Sequence, residues 1–336
     1  MRLGLLAAAR ITDDAVVAAA PAVDGVDIVA VAARSHDRAA AAASRWGIGA
    51  AFGSYEAMLE SDEVDAVYVA TPAALHRAWT LAALEAGKHV LVEKPLAANA
   101  DDARTIQAAA EASDRVVMVA FHWRYHPLVS QMDAILESGV LGAVERVDAV
   151  FEVAASLIPP TDIRWELALG GGATMDIGCY PAAWVRHVTG GEPVVVSAEA
   201  ECPVPGIDGA LTAELAWPNG VTGSIRGSML GGEPSELDSF PGHVARLVVR
   251  GSAGTMEVSN PLAPQHGASL VVTTASGTTE HPVVTDTTYS HQLAAFRDAV
   301  VDGAPFPTTV ADGVATMELI DACYLAAGME PRPTYG

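Results

Sequence analysis

The stretch AVYVATPAALHRAWTLAALEAGKHVLVEKP, residues 66–95, decides the fold class of this chain. It begins with the apolar run Ala66 to Ala70, continues through a helical pattern from Ala74 to Ala86 that Gly87 ends, and returns to an apolar run from His89 to Val92. Short runs that are apolar throughout are typical of strands buried on both faces, and a helix between two such strands predicts a parallel pair. The stretch therefore predicts a strand–helix–strand crossover in a covered sheet.

The same alternation extends in both directions along the first part of the chain. Further strands are predicted at residues 3–7, 27–33 and 116–120, and further helices at residues 13–20, 37–46 and 100–112. Together these segments predict an α/β Rossmann domain, a doubly wound parallel sheet, over residues 1–121. Such sheets bind ligands at the carboxyl ends of their strands, so the residues after each strand are the candidates for function.

After residue 121 the pattern changes to longer segments in which apolar and polar residues alternate. Strands are predicted at residues 145–154, 194–201, 210–217, 221–229, 245–250, 254–258 and 269–274, and helices at 127–137, 175–188, 289–301 and 310–327. Alternation with tight turns such as Pro218-Asn219-Gly220 indicates antiparallel strands with one covered face. We therefore predict that residues 122–336 form an α+β domain with a large, mostly antiparallel open sheet for substrate binding and oligomerisation.

Composition excludes several classes of function. Apolar residues make up 51% of the 336, the formal net charge is −22, and no run of Lys or Arg is present, so nucleic acid is not an expected partner. No uncharged apolar stretch reaches about 18 residues, and the N-terminal residues are interpreted as a first strand, not a signal peptide, so we expect no membrane span. The three cysteines include no C-x-x-C pair, which favours the reducing cytoplasm and no metal site.

The turn after the first strand, Ala7-Ala8-Ala9-Arg10-Ile11-Thr12, stands where a dinucleotide-binding fingerprint belongs. A G-x-G-x-x-G pattern would place Gly at positions 7, 9 and 12, and all three are replaced. Where such a position needs a positive φ, Ala costs roughly 1 kcal/mol. The backbone N–H groups still suit a pyrophosphate, although an ordinary strand-to-helix turn explains the same residues.

The end of the second predicted strand distinguishes the two nicotinamide cofactors. A site for NAD needs a carboxylate there to bind the ribose 2′-hydroxyl, whereas this chain has Arg34, Ser35 and His36. Arg34 can fork onto a 2′-phosphate, with Ser35 donating a hydrogen bond and Arg38 assisting. The alternative is a solvated arginine on a loop. Given the fold, the pattern favours NADP over NAD.

The sequence Val92-Glu93-Lys94-Pro95 follows the strand that ends at Val92. Lys94 is one of only two lysines in the chain, and its position at a strand end would aim a proton donor into the ligand crevice. Pro95 would hold that backbone in place, and a cis bond to Lys94 is one way to do so. The alternative is a solvated Lys-Pro turn.

A second constellation is Asp176-x-Gly178-x-Tyr180, which follows the triplet Gly170-Gly171-Gly172. Four residues apart on a helix, Asp176 and Tyr180 share one face, and we interpret Gly178 as leaving room for a ligand. Tyrosine needs a nearby cation to lower its pKa from about 10 before it can relay a proton. The alternative for Tyr180 is a buried aromatic ring with a satisfied hydroxyl.

Taken together, these motifs resemble the glucose–fructose oxidoreductase / inositol dehydrogenase / MocA family, and the resemblance spans nearly the whole chain. The motifs that carry it are Thr71-Pro72 with His76, Glu93-Lys94-Pro95, Phe121 to Pro127, Asp162-Ile163-Arg164, Asp176-x-Gly178-x-Tyr180 and Tyr289-Ser290-His291-Gln292. The chain most resembles the branch that holds trans-dihydrodiol dehydrogenase and NADP-dependent sugar dehydrogenases, whose members carry Tyr at the position of Tyr180. Ala7 departs from the family, whose members usually keep Gly there.

The resemblance implies an NADP-dependent oxidoreductase that acts on the hydroxyl or carbonyl of a sugar, polyol or cyclic diol, and that assembles as a homodimer or homotetramer. It implies Tyr180 as general acid/base, Lys94 between nicotinamide and substrate, and Asp176 as an orienting group. Cofactor-binding residues would be Ala7, Ala8, Ala9, Arg10, Ile11, Arg34, Ser35, Arg38, Thr71, Pro72, His76, Glu93, Lys94, Trp123 and Arg124. Substrate-binding residues would be Lys94, Arg124, Arg164, Asp176 and Tyr180.

Several alternatives stay open at the level of the sequence. A non-catalytic NADP-sensing regulator, a sugar–sugar oxidoreductase that retains its cofactor, and an imine or bile-pigment reductase would all use the same scaffold. The loops Ile158 to Leu169 and Gly231 to His243 are expected to shape the substrate site. Apart from Arg124 and Arg164 the sequence offers few cations there, which favours a neutral substrate. We interpret His76, His122 and His126 as structural rather than catalytic.

Overall fold

The computed structural model describes residues 1–232 and 242–335. The chain divides into two compact units. The first unit contains residues 1–125, 289–314 and 334–336, and the second contains residues 126–288 and 315–333. The sequence predicted a single boundary between residues 121 and 122, whereas residues 289–314 return to the first unit.

Six parallel strands form the sheet of the first unit. They are β1 (Arg2–Leu6), β2 (Asp27–Ala32), β3 (Ala50–Phe52), β4 (Ala66–Val69), β5 (His89–Val92) and β6 (Val117–Val119), in the order β3-β2-β1-β4-β5-β6. β1 pairs with both β2 and β4, so its carboxyl end lies where the strand order reverses. Sheets of this kind bind ligands at that point, and the predicted doubly wound fold is confirmed.

Four helices connect these strands: α1 (His36–Trp46), α2 (Tyr55–Leu59), α3 (Ala73–Glu85) and α4 (Ala100–Glu111). Side-chain caps fix where three of them begin, because Ser35 accepts from the Arg38 N–H at 3.4 Å, Ser54 from the Ala57 N–H at 3.2 Å and Asn99 from the Asp102 N–H at 2.9 Å. Gly47 ends α1 in the left-handed conformation.

The segment after β1 differs from its prediction. In place of a helix over residues 13–20, the chain forms a π-helical turn at Asp13–Val17 and a 3₁₀ turn at Ala20–Ala22. Pro21 explains the break, since it has no N–H to continue a helical ladder.

Eight strands form the sheet of the second unit. They are β7 (Val144–Ala154), β8 (Val194–Glu201), β9 (Ala210–Ala216), β10 (Thr222–Gly231), β11 (His243–Gly251), β12 (Gly254–Ser259), β13 (Ser269–Thr274) and β14 (Gly277–His281). Their order is β14-β13-β12-β11-β7-β10-β9-β8, and the pair β7–β10 is parallel while the other pairs are antiparallel. The predicted mostly antiparallel sheet is confirmed.

The two faces of this sheet differ in chemistry. On one face, α6 (Cys179–Thr189) covers the sheet and buries Val147, Ala149 and Val153 of β7. A further helix, α5 (Pro127–Glu137), comes before β7 in the chain. The outward residues of the same strand are charged and paired across strands, for example Glu152 with the Nε of Arg226 at 2.6 Å. Alternation along the strand thus separates an apolar core from a polar outer surface.

The segment that carries the Asp-x-Gly-x-Tyr motif begins with a turn of π-helix at Thr174–Gly178 and continues as α6. The sequence predicted one uniform helix over residues 175–188. Pro181 accounts for the difference, because it cannot donate a hydrogen bond to the carbonyl four residues earlier. π-helical turns inside helices are frequent at functional sites.

The last two helices are α7 (Thr288–Asp302) and α8 (Val310–Ala326). On α7, Leu293, Phe296 and Ala299 are almost fully buried in one cluster with Leu3 and Leu5 of β1. This packing explains why residues 289–314 belong to the first unit, since periodicity identifies a helix but not the sheet that it covers. Within the described residues, no helix is both long and apolar enough to span a membrane.

Candidate active site

The first turn of the Rossmann unit has a strained backbone. Ala7 adopts a φ of 106°, in the region that glycine favours, and its N–H bonds to the Ala32 carbonyl oxygen at 3.2 Å. Ala8, Ala9 and Ile11 are half-buried and Arg10 is exposed. The strain foreseen for an alanine at this position is therefore present at Ala7.

Two buried hydroxyls test whether this unit fits a dinucleotide. Thr12 ends the first turn and Thr71 follows β4, and the Oγ1 atom of each is buried without a hydrogen-bond partner among the described residues. Trp46 and Arg45 donate hydrogen bonds to the two carboxylate oxygens of Asp13 at 2.6 and 2.9 Å. These bonds reduce the repulsion between the Asp13 charge and an anion bound at this turn. Unused donors at the carboxyl ends of strands fit a phosphorylated cofactor.

Arg34, Ser35 and Arg38 lie exposed around the start of α1, beyond the end of β2. Burial raises the pKa of Tyr55, while the charges of Arg34 and Arg38 oppose that rise, which places both guanidinium groups near the phenol. Tyr55 is held in place by an edge-to-face contact with Trp79, with ring centroids 4.7 Å apart. Sequence reasoning missed Tyr55, because the three-residue strand β3 before it has too little pattern to detect.

His76 links two loops in the interior of the unit. Its Nδ1 lies 2.8 Å from the Pro95 carbonyl oxygen, its Nε2 lies 2.8 Å from the Thr71 carbonyl oxygen, and the side chain is 1% exposed. Burial, assisted by the charge of Lys94, lowers its pKa to about 4 although both carbonyls favour the protonated ring. Both ring nitrogens therefore face main-chain carbonyl oxygens, and a neutral ring, which has one N–H, donates to only one of them.

Glu93 and Lys94 stand at the end of β5. The Tyr68 hydroxyl donates to Glu93 Oε1 at 2.6 Å, and the Lys94 backbone N–H donates to Glu93 Oε2 at 3.1 Å. The Lys94–Pro95 bond is cis, and Lys94 is half-buried. Burial and the nearby Lys94 charge also lower the pKa of His122, to about 3. Glu93 thus braces the backbone that presents Lys94.

The other predicted residues of the first unit differ in accessibility. Pro72 is half-buried before α3, whereas Trp123 is fully buried. Arg124 lies over the Trp123 ring at 5.5 Å from its centroid and 3.9 Å from Asp312. The buried Trp123 ring thus supports Arg124 from beneath.

In the second unit, Arg164 and Asp176 form an ion pair, with Nε and Oδ2 2.5 Å apart. Arg164 Nη1 also contacts Asp162 Oδ1 at 2.9 Å, and the attraction of Asp176 raises the pKa of Arg164 above its usual value. The positive charge of Arg164 is therefore matched by two carboxylates, and Asp176 is oriented by the arginine.

Tyr180 lies in a small aromatic group of the second unit and is 6% exposed. Its ring meets Phe151 edge-on with centroids 5.7 Å apart and lies 6.3 Å from the ring of Trp184. His243 stacks on Phe151 from β11. Rigid ring contacts of this kind fix the direction of the tyrosine hydroxyl.

Gly178 lies against a glycine of the sheet. It is buried, and a Cβ atom at Gly227 of β10 would lie 2.7 Å from Gly178 Cα. The missing side chain at Gly227 therefore lets the π-helical turn pack directly on the sheet. Of the loops expected to shape the substrate site, residues 158–169 contain the 3₁₀ turns Ile163–Trp165 and Leu167–Leu169, whereas residues 233–241 lie outside the described chain.

Two protein-family models match this chain. Residues 2–121 match the model described as an oxidoreductase family with an NAD-binding Rossmann fold, and residues 129–257 match the GFO/IDH/MocA C-terminal domain. Both units found in the structure are thus represented by models from one group of enzymes.

Similar proteins include enzymes of known activity. D-xylose 1-dehydrogenase (NADP(+)) 2 of Haloferax volcanii is 32% identical over 334 residues, covering 97% of each chain. Trans-1,2-dihydrobenzene-1,2-diol dehydrogenase of Xenopus tropicalis is 36% identical over 217 residues, covering 64% of each chain. The crystal structure of a 3-ketoreductase from Actinomadura kijaniata, in complex with TDP-benzene and NADP, superposes with a TM-score of 0.84 at 27% identity over 96% of each chain.

Proposed function

The chain belongs to the GFO/IDH/MocA family of oxidoreductases, and from that membership we propose how its residues divide the reaction. It is an NADP-dependent oxidoreductase that moves hydride between nicotinamide and the hydroxyl- or carbonyl-bearing carbon of a sugar, polyol or cyclic diol. The family and the cofactor expected from the sequence motifs are confirmed.

Residues of the first unit fit the cofactor. The turn Ala7 to Ile11 and the unused hydroxyls of Thr12 and Thr71 would hold the pyrophosphate and its neighbours. Arg34, Ser35 and Arg38 would bind the 2′-phosphate, with Tyr55 beside them as a further donor. Bound NADP supplies or accepts the hydride at its nicotinamide ring.

The position of Lys94 is the observation that carries the proposal. It stands at the end of β5, half-buried on a backbone that Glu93 and His76 brace from two sides. We assign Tyr180 as the group that takes the proton from the alcohol or returns it, with the positive charge of Lys94 stabilising the phenolate. Asp176 is committed to Arg164, which suits an orienting part rather than proton transfer.

A neutral substrate follows from the charge pairing. Arg164 is balanced by Asp162 and Asp176, and Arg124 faces Asp312, so an anionic substrate would gain little from either cation. Sugars, polyols and cyclic diols present neutral hydroxyls that bind through hydrogen bonds. We expect the chain to discriminate among them by shape and not by charge.

The proposal extends to assembly and location. We expect a homodimer or homotetramer that uses the outer face of the eight-stranded sheet, whose edge strand β8 carries Val194 and Val196 at 63% and 65% exposure. Exposed apolar residues rimmed by polar ones are typical of protein interfaces. The expected compartment is the cytoplasm, in line with the three free cysteines.

The test begins with calorimetric titration of the purified protein with NADP⁺ and NAD⁺. NADP⁺ should bind at least about tenfold more tightly, a difference of about 1.4 kcal/mol. A screen of sugars, polyols and cyclic diols by nicotinamide absorbance then identifies a substrate, and Tyr180→Phe should lower kcat at least about a hundredfold. Equal binding of both cofactors, or full activity in Tyr180→Phe, would contradict these assignments.

A further inference from the structure

A buried ion pair lies in the second unit beside the segment that carries Asp176 and Tyr180. Asp208 is 0% exposed and Arg332, close to the C-terminus, is 2% exposed, and the Arg332 Nη2 donates to Asp208 Oδ1. Neither residue belongs to the motifs that indicate the function, and 124 residues separate them in the chain. The cost of burying both charges calls for a physical explanation.

Asp208 and Arg332 also make hydrogen bonds to the chain at the start of that segment. Asp208 Oδ2 accepts from the Thr174 N–H at 2.7 Å and from the Thr174 hydroxyl at 2.6 Å, and the Asp208 carbonyl oxygen accepts from the Ala173 N–H at 2.8 Å. Arg332 Nε donates to the Gly171 carbonyl oxygen at 2.6 Å. Four hydrogen bonds thus hold residues 171–174, where the π-helical turn begins.

Glycines at positions 171 and 172 leave space for the Asp208–Arg332 pair and for the loop beside it. Gly172 adopts a φ of +132°, and a Cβ atom there would overlap Asp208 Oδ1 and Arg332 Nη2. A Cβ atom at Gly171 would lie 2.5 Å from the Arg164 carbonyl oxygen, so that glycine also lets the loop approach the arginine that pairs with Asp176. Only glycine combines this backbone conformation with such close contact.

The other polar atoms of Asp208 and Arg332 also have hydrogen-bond partners among the described residues. Arg332 Nη1 donates to the Gly206 carbonyl oxygen at 3.0 Å, and Nη2 also donates to the Tyr324 hydroxyl at 2.9 Å. The Tyr324 hydroxyl donates to Asp208 Oδ1 at 3.0 Å, and its ring lies 4.1 Å beneath the guanidinium. Burial raises the pKa of Asp208, an effect that the charge of Arg332 opposes.

A buried ion pair stabilises a fold no better than an apolar pair of equal volume. We therefore attribute the presence of Asp208 and Arg332 to the fixed directions of their hydrogen bonds. We propose that Asp208 and Arg332 are positioning residues, which set the start of the segment bearing Asp176 and Tyr180 and thereby the direction of the tyrosine hydroxyl. This inference rests on the proposed function of Tyr180. It makes Arg332 part of the architecture that supports catalysis, without contact to substrate.

The test uses Arg332→Lys, which keeps the charge and loses the planar fork, with Arg186→Lys as a matched control. Arg186 is 8% exposed in the same unit, at the far end of α6, and its Nε and Nη2 bond to Glu192 at 2.6 and 2.7 Å. Both variants should lose thermal stability. Arg332→Lys alone should lower kcat by about tenfold to a hundredfold and shift the pH profile of kcat, with NADP⁺ affinity kept.

A second readout keeps the inference separate from the proposed function. Amide hydrogen exchange over residues 171–180 should accelerate at least about tenfold in Arg332→Lys and stay unchanged in Arg186→Lys, whether or not a substrate has been found. Wild-type protein without turnover on any sugar or polyol would defeat the proposed function, while the exchange data would still decide on positioning. Tyr324→Phe, which removes one hydroxyl, gives the same comparison if Arg332→Lys does not fold. Unchanged exchange and an unchanged pH profile would overturn the inference.

Discussion

Replacing Ala7 by glycine should stabilise the protein, against the usual effect of that substitution. The φ of 106° at Ala7 places its Cβ atom in a region that costs L-residues about 1–2 kcal/mol. Glycine removes this strain but gains about 0.5–1 kcal/mol of freedom in the unfolded chain. The net effect of Ala7→Gly is therefore a gain of up to about 1.5 kcal/mol, measurable as a rise in the unfolding temperature of about 1–2 °C.

The matched control lies two residues along the same turn. Ala9 is not among the described residues with a positive φ and packs against the core, so Ala9→Gly should destabilise by at least about 0.5–1 kcal/mol through chain entropy and the loss of its methyl group. Differential scanning calorimetry of both variants should give shifts of opposite sign. Shifts of the same sign, or a loss of stability in Ala7→Gly, would refute the reasoning about strain. NADP⁺ titration of the same proteins should show binding at least as tight in Ala7→Gly, since the smaller residue clears the approach to the turn.

Three further predictions follow from the two units. The pKa of His122 is lowered to about 3, so the unfolded chain takes up a proton as pH falls below about 6.5 while the folded chain does not, and stability is lost. In urea titrations the wild type should lose about 2 kcal/mol more stability than His122→Phe when the pH falls from about 7 to about 5, and an equal loss in both proteins would contradict the lowered pKa of His122. Arg34→Gln should weaken NADP⁺ binding about tenfold in calorimetry and leave NAD⁺ binding unchanged; equal losses would remove the arginine from the 2′-phosphate site. Gly227→Ala should destabilise by about 1–3 kcal/mol and lower kcat, because its Cβ atom would force Gly178 away from β10; a neutral result in both assays would contradict the close packing.

The parallel sheet of the first unit was predictable because its signals are local. Apolar runs such as Ala66 to Ala70, with helices and glycines between them, specify the strands and their direction. The short strand β3 and the polar strand β14 lack such a pattern and were not predicted. The helix expected after β1 also failed, since proline and a strained turn outweigh propensity there.

The site was predictable where residues follow strands and not where distant residues meet. Lys94 was identified because it ends β5, and the cis bond to Pro95 was foreseen from the dipeptide. The links from His76 to Pro95 and from Arg332 to Asp208 join residues far apart in the chain, and no local pattern records them. The close packing of Gly227 on Gly178 was not predictable for the same reason, because Gly227 comes from a later strand.

The central claim is that Lys94 serves the chemistry and not the binding of the cofactor. The most direct measurement is the kcat of Lys94→Ala with the substrate that the screen identifies, alongside its NADP⁺ dissociation constant by calorimetry. We predict that kcat falls at least about a hundredfold while the NADP⁺ dissociation constant changes less than about threefold. Near-normal turnover, or a loss explained by weaker NADP⁺ binding, would contradict it.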